Sequence, residues 1–303
     1  MGRLCHRKMP DDCRTMRPLA FLTMDSLDDF VSYDGQVADC LEARGVQVDN
    51  VSWRSRTVNW DDYDMVIIRS PWDYQQAVDA FMTVLEAIDA STAVLWNPID
   101  VVRWNVRKTY LQELHDRGIT IVPTQFMQSP TDSQIRGMFE VFETDQIIIK
   151  PVVGANANDT FWLRPDSSAS DLQQIELLYS GRLALLQPFI PSVIEYGETS
   201  LVFFDGEHSH SVLKTPKAGD FRVQEEHGSR IQSIAPDSAL IEFSRRALEP
   251  IPQRILYGRV DLVTLPNGQP AVMELELIEP SLYLCYDADS AARFADAIQR
   301  FRA

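Results

Sequence analysis

Acidic and basic side chains alternate along residues 257–278 in a pattern that could support chemistry. Two apolar runs flank an Asn-Gly pair at 267–268, the strongest short signal for a hairpin turn. We therefore expect two antiparallel strands joined by a two-residue loop, in which Thr264 faces Ala271. Side chains of equal parity share one face of a strand pair. The same register then brings charged residues together across the ladder: Asp261 with Glu274, and Arg259 with Glu276.

Three carboxylates on one face of a hairpin permit two interpretations. Like charges placed directly opposite each other destabilise a ladder, so the face is either solvated or neutralised by a ligand. Clustered oxygen ligands with room for water and phosphate are what Mg²⁺ selects. The hairpin is therefore either a solvated outer surface or a site for a divalent cation.

The composition is that of an acidic globular protein of enzyme size. The chain has 303 residues, of which 45% are hydrophobic, and its formal net charge is -16. This amount of apolar sequence is enough for two or three packed units. The negative charge argues against nucleic acid and anionic membranes as partners, because both attract a basic surface.

The cysteines and the first residues bear on the cellular compartment. Cys5, Cys13, Cys40 and Cys285 are scattered without the spacing of a zinc site, so we expect reduced thiols in a cytoplasmic protein. Residues 1–16 carry charges and no apolar core, and we interpret them as a loose leader rather than a signal peptide. No apolar run is long enough to cross a bilayer.

Residues 17–100 alternate apolar strands with amphipathic helices, the pattern of a small parallel α/β domain. In such sheets, ligands bind beyond the carboxyl ends of the strands. Arg69 lies at one of these ends and is followed by two aromatic residues and Asp73. The segment is therefore either a substrate contact through Arg69 or a turn in which Asp73 begins the next helix.

Two lysines and a loop of small residues come next in the chain. Residues 100–118 predict one helix with Lys108 inside it, and residues 119–124 predict a strand. A lone lysine in a helix is usually solvated. A later strand ends in Lys150, and the loop 154–159 beyond it could bring backbone N–H groups against phosphates, although it lacks a Walker motif.

The last third of the chain contains a second hairpin and a polar loop. His208 and His210 alternate on the hairpin, and we interpret both as surface histidines because no third metal ligand accompanies them. In an acidic protein, the polar loop is either an anion site or a solvated lid balanced by Glu225 and Glu226. It spans residues 214–229 and carries four basic side chains: Lys214, Lys217, Arg222 and His227.

The order of these features resembles the ATP-grasp superfamily over nearly the whole chain. The resemblance is carried by Lys108, Lys150-Pro151, the loop 154–159 and the acidic hairpin. It implies an ATP-grasp fold of the α/β class, α+β overall. The implied division is a small parallel α/β domain at 17–100, a central α+β lid domain at 101–190 and a C-terminal antiparallel-sheet catalytic domain at 191–303.

Shorter segments are similar to particular groups of enzymes within this superfamily. Residues 219–222, followed by His227, are similar to a segment of glutathione-synthetase-like and glutamate-adding ligases. Four segments are similar to bacterial cyclo-ligases that act on O-ureido-D-serine: 69–74, 150–161, 214–228 and 274–284. One departure concerns Glu276, which stands where most of the superfamily carries Asn.

The resemblance also implies a role for each site residue. Contacts to ATP would come from Lys108, Lys150, Gly154, Asn156, Gln187, Phe189 and Glu198. Two Mg²⁺ ions, for which Mn²⁺ could substitute, would be held by Asp261, Glu274 and Glu276. Arg259 would face the reacting carbonyl, and Arg222 would bind the substrate carboxylate or the transferring phosphoryl group. Further substrate contacts would be Arg69, Lys217, His227, Glu279 and Ser281.

The activity implied is activation of a carboxylate by ATP. The acid attacks the γ-phosphate, ADP leaves, and an amine attacks the resulting acyl phosphate. A small amino acid or peptide is the expected substrate, intramolecular cyclisation is a close variant, and the enzyme could form a homodimer. Water would hydrolyse the acyl phosphate, so residues 154–159 and 215–229 are the expected lid. Two other activities remain open: a kinase acting on a hydroxyl group, and a nucleotide sensor without catalysis.

Overall fold

The described residues form three β-sheets, and the first of these is parallel. The computed structural model describes residues 16–28, 30–154, 157–251 and 253–302, so the predicted leader lies outside the described residues except for Met16. The first elements are β1 (Leu19–Thr23), α1 (Asp34–Glu42), β2 (Val48–Ser52), β3 (Met65–Ser70), α2 (Val78–Asp89) and β4 (Val94–Trp96). The sheet has the order β2-β1-β3-β4, and all neighbouring strands are parallel, as the alternation of strands and helices predicts.

The second sheet is antiparallel and lies in the middle of the chain. Its elements are α3 (Ile99–Asn105), α4 (Tyr110–Asp116), β5 (Gln125–Gln128), α5 (Asp132–Val141), β6 (Ile147–Pro151), β7 (Phe161–Leu163), α6 (Ala169–Leu178) and β8 (Leu183–Pro188). The strand order is β5-β8-β6-β7. Helices α5 and α6 cover the sheet, with Ile135, Leu172 and Ile175 buried against Ile147 and Ile149.

Two predictions for this region are wrong. The helix predicted at 100–118 is broken into α3 and α4, and Lys108 lies between them. Its backbone N–H donates to Val152 O at 2.9 Å, a bond to another segment in place of a helical one. Residues 119–124 do not form the predicted strand, and Ile121 makes only an isolated β-bridge to Val272. Both departures arise because the segment packs against later parts of the chain.

The third sheet is antiparallel and contains both predicted hairpins. Its elements are α7 (Ser192–Glu195), β9 (Glu198–Phe204), β10 (Glu207–Thr215), β11 (Arg230–Ile234), α8 (Ser238–Leu248), β12 (Tyr257–Thr264), β13 (Pro270–Glu276) and α9 (Ser290–Arg302). The strand order is β11-β10-β9-β12-β13. His210 on β10 is 5% exposed, and its Nε2 lies 2.7 Å from Leu282 O. The prediction of a surface histidine at this position is therefore wrong.

The hairpin β12–β13 has the predicted pairing at its charged end only. There, both charged pairs face each other as predicted. Near the turn, Thr264 faces Pro270 rather than Ala271, so the prediction of a two-residue loop is wrong. A β-bulge after Asp261 leaves Met273 as an extra residue on β13. The longer loop and the bulge offset each other, which keeps the charged pairs in register.

The first and third sheets share one hydrophobic core. Phe21 and Ile67 from the parallel sheet pack with Phe204, Tyr257 and residues of α9. The Tyr257 hydroxyl also donates to Ile68 O at 2.6 Å. No helix of the described residues is long and apolar enough to cross a membrane. The charged hairpin is thus held in place by a core that it shares with the N-terminal sheet.

Candidate active site

An open cleft lies where the three parts of the chain meet. Trp72 and Tyr74 line it from the loop after β3, Phe189 lines it after β8, and the charged hairpin forms its floor. Thirteen of the predicted site residues line it: Lys108, Lys150, Gly154, Gln187, Phe189, Glu198, Arg222, Arg259, Asp261, Glu274, Glu276, Glu279 and Ser281. Most of the site residues predicted from the sequence therefore meet in this one cleft.

Asp261 is the most closely surrounded carboxylate of the cleft. Arg259 donates to it through Nε and Nη2, both at 2.9 Å, and the Ser200 hydroxyl donates at 2.5 Å. Burial acts to raise the pKa of Asp261, but Arg259 and Lys214 outweigh it and hold that pKa well below its usual range. Asp261 and Arg259 are 3% and 5% exposed. The interpretation of the hairpin as a solvated outer surface is therefore wrong.

Lys214 is a site residue that the sequence reasoning placed in the polar loop. Lys214 lies within β10, is 2% exposed, and its Nζ lies 2.5 Å from Glu198 Oε1 and 3.4 Å from Asp261 Oδ2. Burial acts to lower the pKa of Lys214, yet Asp261 and Glu198 together raise it. Burial raises the pKa of Glu198. The pairing of Lys214 with Glu198 across β9 and β10 could have indicated this position. A bulge at His208–His210 shifts the register of the two strands, so the pairing does not follow from the turn alone.

The two predicted lysines have different surroundings. Lys108 Nζ lies 2.7 Å from Glu274 Oε1 and donates to Gly154 O at 2.8 Å. Burial acts to lower the pKa of Lys108, but Glu274 outweighs it and raises that pKa. Lys150 Nζ lies 3.8 Å from Met273 Sδ, and in the described part of the chain no carboxylate lies within ion-pair distance of it. Burial accordingly lowers the pKa of Lys150.

Two further carboxylates of the cleft hold their protons unusually tightly. Burial, assisted by Asp261 and Glu274, raises the pKa of Glu276 to about 8, although Arg259 is paired with it. Burial also raises the pKa of Glu279 to about 7. Glu279 accepts a hydrogen bond from Gln75 Nε2 at 3.2 Å. No Lys or Arg of the described ranges is ion-paired with it.

An aromatic wall, the stacked pair of Phe189 and Trp162, adjoins the other side of the cleft, and Phe189 is the member that lines it. The rings of Trp162 and Phe189 are stacked with centroids 4.5 Å apart and an interplanar angle of 22°. Gln187 next to them is 2% exposed, and its Nε2 donates to Thr124 Oγ1 at 2.9 Å. Phe189 and Gln187 were predicted, whereas Trp162 and Tyr283 were missed. Tyr283 lies with its ring centroid 5.3 Å from the Arg259 guanidinium.

Three predicted site residues within the described ranges are not among the residues that line the cleft. Arg69 lies in β3, is 2% exposed, and its Nε donates to Asp34 Oδ1 at 2.9 Å in a buried ion pair. Lys217 and His227 belong to the polar loop, but other residues of that loop face the cleft. Asn156 lies outside the described residues. Asp73 begins the short 3-10 helix Tyr74–Gln76, as one of the two alternatives predicts, but its side chain accepts hydrogen bonds from Trp53 and Arg54 rather than capping that helix.

The comparisons with known proteins agree with this architecture. A family model described as the D-cycloserine synthetase DcsG N-terminal domain matches residues 19–97. The cycloserine biosynthesis protein DcsG of Streptomyces lavendulae is 29% identical over 293 residues, 91% of this chain and 96% of that protein. The glutathione synthetase of Prochlorococcus marinus subsp. pastoris is 25% identical over 196 residues, 60% of this chain and 61% of that protein.

Solved structures show the same relationship. The crystal structure of D-cycloserine synthetase DcsG superposes with a TM-score of 0.83 at 29% identity, covering 94% of this chain and 99% of that chain. The ATP-grasp ligase PsnB, complexed with a minimal precursor, Mg and ADP, superposes with a TM-score of 0.63 at 15% identity, covering 94% and 98%. The fold is the ATP-grasp fold, and the chain is an enzyme of the ATP-grasp ligase type. Over most of its length it is similar to DcsG.

Proposed function

We propose that the protein uses ATP and Mg²⁺ to activate a small-molecule carboxylate as an acyl phosphate and transfers the acyl group to an amine. ADP and phosphate are the other products. The observation that carries this proposal is the meeting of Lys108 and Lys150 with three hairpin carboxylates in one cleft. The complex of the fold relative PsnB with Mg and ADP supports the same pair of cofactors.

ATP would lie between the aromatic wall and the lysines. Phe189 and Gln187 would contact adenine, and the Glu198 oxygen that does not contact Lys214 would accept the ribose hydroxyls. Lys150 has no carboxylate partner among the described residues, so it is ready to bind a phosphate oxygen as a point charge. Lys108 would exchange its contact with Glu274 for one with the phosphates, and Gly154 with Asn156 would cover them.

The donor set of the hairpin fits Mg²⁺ in chemical type. Carboxylate oxygens are the ligands this ion prefers, and Asp261, Glu274 and Glu276 share one face. In the present arrangement each of them is paired with a lysine or arginine. Within the described ranges, no three His, Cys, Asp or Glu side chains are grouped to hold a metal. Mg²⁺, as two ions or with Mn²⁺ in its place, would supply charge neutralisation, and Lys108 and Arg259 would have to shift.

The bonds made and broken follow from carboxylate activation. A substrate carboxylate oxygen bonds to the γ-phosphorus, and the bond from that phosphorus to the bridging oxygen of ADP breaks. The amine nitrogen then bonds to the acyl carbon, loses a proton, and phosphate leaves with the former carboxylate oxygen. Arg259 would stabilise the charge on the carbonyl oxygen in the second step. Arg222, now paired with Asp220 at 2.7 Å, would bind the transferring phosphoryl group or the substrate carboxylate.

The substrate would carry a positive charge as well as its carboxylate. Glu279 lines the cleft without an ion-paired Lys or Arg in the described residues, and Trp72 and Tyr74 lie beside it. A partly buried carboxylate without a cationic partner favours a cationic ligand. We therefore assign the substrate ammonium group to Glu279, with Ser281 next to it, and expect an amino acid or a short peptide. Substrate contacts by Lys217, His227 and Arg69, which do not line the cleft, stay predictions. A homodimer also stays a prediction.

Ring closure within one substrate is the second candidate function. The similarity to DcsG over 91% of the chain favours it, because the solved relative is named as a D-cycloserine synthetase. The chemistry up to the acyl phosphate is the same. The two candidates differ in whether the attacking nitrogen belongs to the same molecule, so O-ureido-D-serine belongs in any substrate panel.

The test is to identify the nucleotide product. Purified protein with MgATP is offered D- and L-amino acids, dipeptides and O-ureido-D-serine, and we expect substrate-dependent release of ADP and phosphate. Lys150→Met should slow ADP release at least about tenfold, because it removes the unpaired cation. It should leave the melting temperature unchanged or higher, since a partly buried charge without an ion pair is costly.

The control for this substitution is Arg103→Met, which changes an exposed arginine on α3 paired with Glu86 and Asp100. It should leave ADP release unchanged. AMP and pyrophosphate as products would exclude the proposal. A stable phosphorylated product without a new C–N bond would show a kinase, and absence of turnover with every substrate would favour a nucleotide sensor.

A further inference from the structure

One loop contacts all three parts of the molecule at the cleft. Residues 216–229 connect β10 to β11, and residues 221–226 line the cleft. Gly219 and Gly228, near the two ends of the loop, have φ of 83° and 78°. These left-handed conformations favour glycine, so the loop begins and ends at points where the chain can change direction.

Two side chains fix this loop to the central and C-terminal sheets. The Phe221 ring lies edge-on to Trp162 with centroids 5.8 Å apart. Val223 is 6% exposed and packs in an apolar cluster with Ile190 and Val263. Both contacts are apolar and lie on the nucleotide side of the cleft, next to the stacked pair of Trp162 and Phe189.

A third contact joins the loop to the N-terminal part of the chain. The Tyr33 hydroxyl, just before α1, donates to the Glu225 carboxylate at 2.9 Å, with its other oxygen at 3.1 Å. The Tyr286 hydroxyl, in the short 3-10 turn Leu284–Tyr286, donates to Glu225 Oε1 at 3.2 Å. We call Tyr33, Glu225 and Tyr286 the tyrosine clasp. Hydrogen bonds to an ionised acceptor are stronger than neutral ones, so the clasp is a directional contact.

The clasp also adjoins the charged network of the cleft. The Tyr286 ring lies 6.3 Å from the Tyr283 ring, and the Tyr283 ring lies 5.3 Å from the Arg259 guanidinium. Arg222, three residues before Glu225, lines the cleft and is paired with Asp220. We expect a displacement of Glu225 to displace Arg222 as well, because only two residues separate them in the loop.

We propose that Glu225 is a positioning residue that holds the loop 216–229 closed over the cleft through the tyrosine clasp. This inference rests on the proposed function, because closure matters for an acyl phosphate that water would hydrolyse. The clasp keeps the loop down while the intermediate exists, and its opening releases products. Tyr33 and Tyr286 act through Glu225, and none of the three performs a chemical step.

Hydrogen exchange measures the clasp without any substrate. In the full-length protein, we expect Tyr33→Phe together with Tyr286→Phe to speed amide exchange in residues 216–229 by about tenfold or more, since two bonds to a charged acceptor are lost. Glu225→Gln keeps one acceptor oxygen and should fall between this variant and the wild type. Tyr196→Phe, at a tyrosine that is 69% exposed, is the matched control and should change nothing.

Two results would overturn the inference at this stage. One is unchanged exchange in 216–229 for the double variant. The other is faster exchange spread through β9 and β12 with a lowered melting temperature, which would give the tyrosines a general structural role. Because this measurement needs no turnover, it decides the inference even when no substrate releases ADP.

The turnover readout is the ratio of ADP released to ligated product. An open loop admits water, so the double variant should release more ADP per product by several-fold while the KM for ATP stays within about twofold. The single variant Glu225→Gln should have a ratio of ADP to ligated product between those of the double variant and the wild type. A lower kcat with an unchanged ratio of ADP to ligated product would contradict the proposed positioning role. If the wild-type protein released no ADP with any substrate, that result would count against the proposed function alone.

Discussion

Glu279 is a carboxyl group whose surroundings oppose its charged form. Burial raises the pKa of Glu279 from 4.5 to about 7. The folded protein then binds this proton more tightly than the unfolded chain, so folding becomes less favourable as the pH rises from 4.5 to 7. At higher pH the folded state retains a partly buried, unpaired carboxylate, which a cationic substrate group would stabilise.

We predict that Glu279→Gln stabilises the free protein at alkaline pH. The free energy of unfolding should increase by roughly 1 to 3 kcal/mol at about pH 8 and hardly change at about pH 4.5. Substrate binding should weaken in the same variant, the common cost of stabilising a functional site. Urea denaturation at the two pH values measures the first effect, with Glu42→Gln on the exposed side of α1 as control. Equal effects at both pH values would contradict the assignment.

The charged residues of the site could be predicted where their order along the chain is informative. Asp261, Glu274, Lys108 and Lys150 follow from the hairpin register and from the order of motifs. Lys214 could not be placed, because its role depends on a bulge in β10 that no local pattern indicates. Arg69 has the same chemical type as a substrate-binding arginine, and only the packing of Asp34 beneath it shows a buried ion pair.

At the scale of elements, the hairpin β12–β13 shows how two local irregularities can cancel. Gly268 has φ of 81°, and Leu265 N donates to Gln269 O at 2.9 Å, which defines a three-residue loop. The bulge at Met273 then restores the register. The Asn-Gly pair predicts the turn, but it does not predict the loop length, which is coupled to the bulge at Met273. The break between α3 and α4 has a similar origin in long-range contacts.

The turn into β9 makes a separate prediction for this sheet. Gly197 has φ of 109°, and a Cβ there would lie 2.7 Å from Lys214 O and 3.0 Å from Leu213 Cδ1. Gly197→Ala should therefore lower the free energy of unfolding by about 3 kcal/mol or more, from backbone strain and overpacking together. Guanidinium denaturation monitored by circular dichroism provides the measurement.

Gly206→Ala is the control for this prediction. Gly206 also has a positive φ, 77°, but no atom lies within 4 Å of the place that a Cβ would take there. Only the backbone cost of about 1 to 2 kcal/mol is expected at this position. If Gly197→Ala and Gly206→Ala lowered the free energy of unfolding by similar amounts, the close approach of residue 197 to Lys214 O would not be the cause of the loss.

At the scale of the whole molecule, the cleft depends on contacts between segments far apart in sequence. Asn97 donates to Tyr257 O at 2.8 Å and to Leu277 O at 2.7 Å, and thereby fixes the first sheet against the charged hairpin. The three-part order along the chain could be predicted from alternation and motifs. The way in which the parts meet could not, because it rests on such buried polar contacts and on a core shared by two sheets.

Transfer of oxygen-18 from substrate to phosphate tests carboxylate activation most directly. A substrate found to support ADP release is labelled in its carboxylate and turned over with MgATP, and the phosphate is analysed by mass spectrometry. We expect one labelled oxygen in the phosphate for each C–N bond formed, because phosphate leaves with the carboxylate oxygen that attacked it. Unlabelled phosphate, with both labelled oxygens retained by the substrate, would contradict carboxylate activation in this cleft.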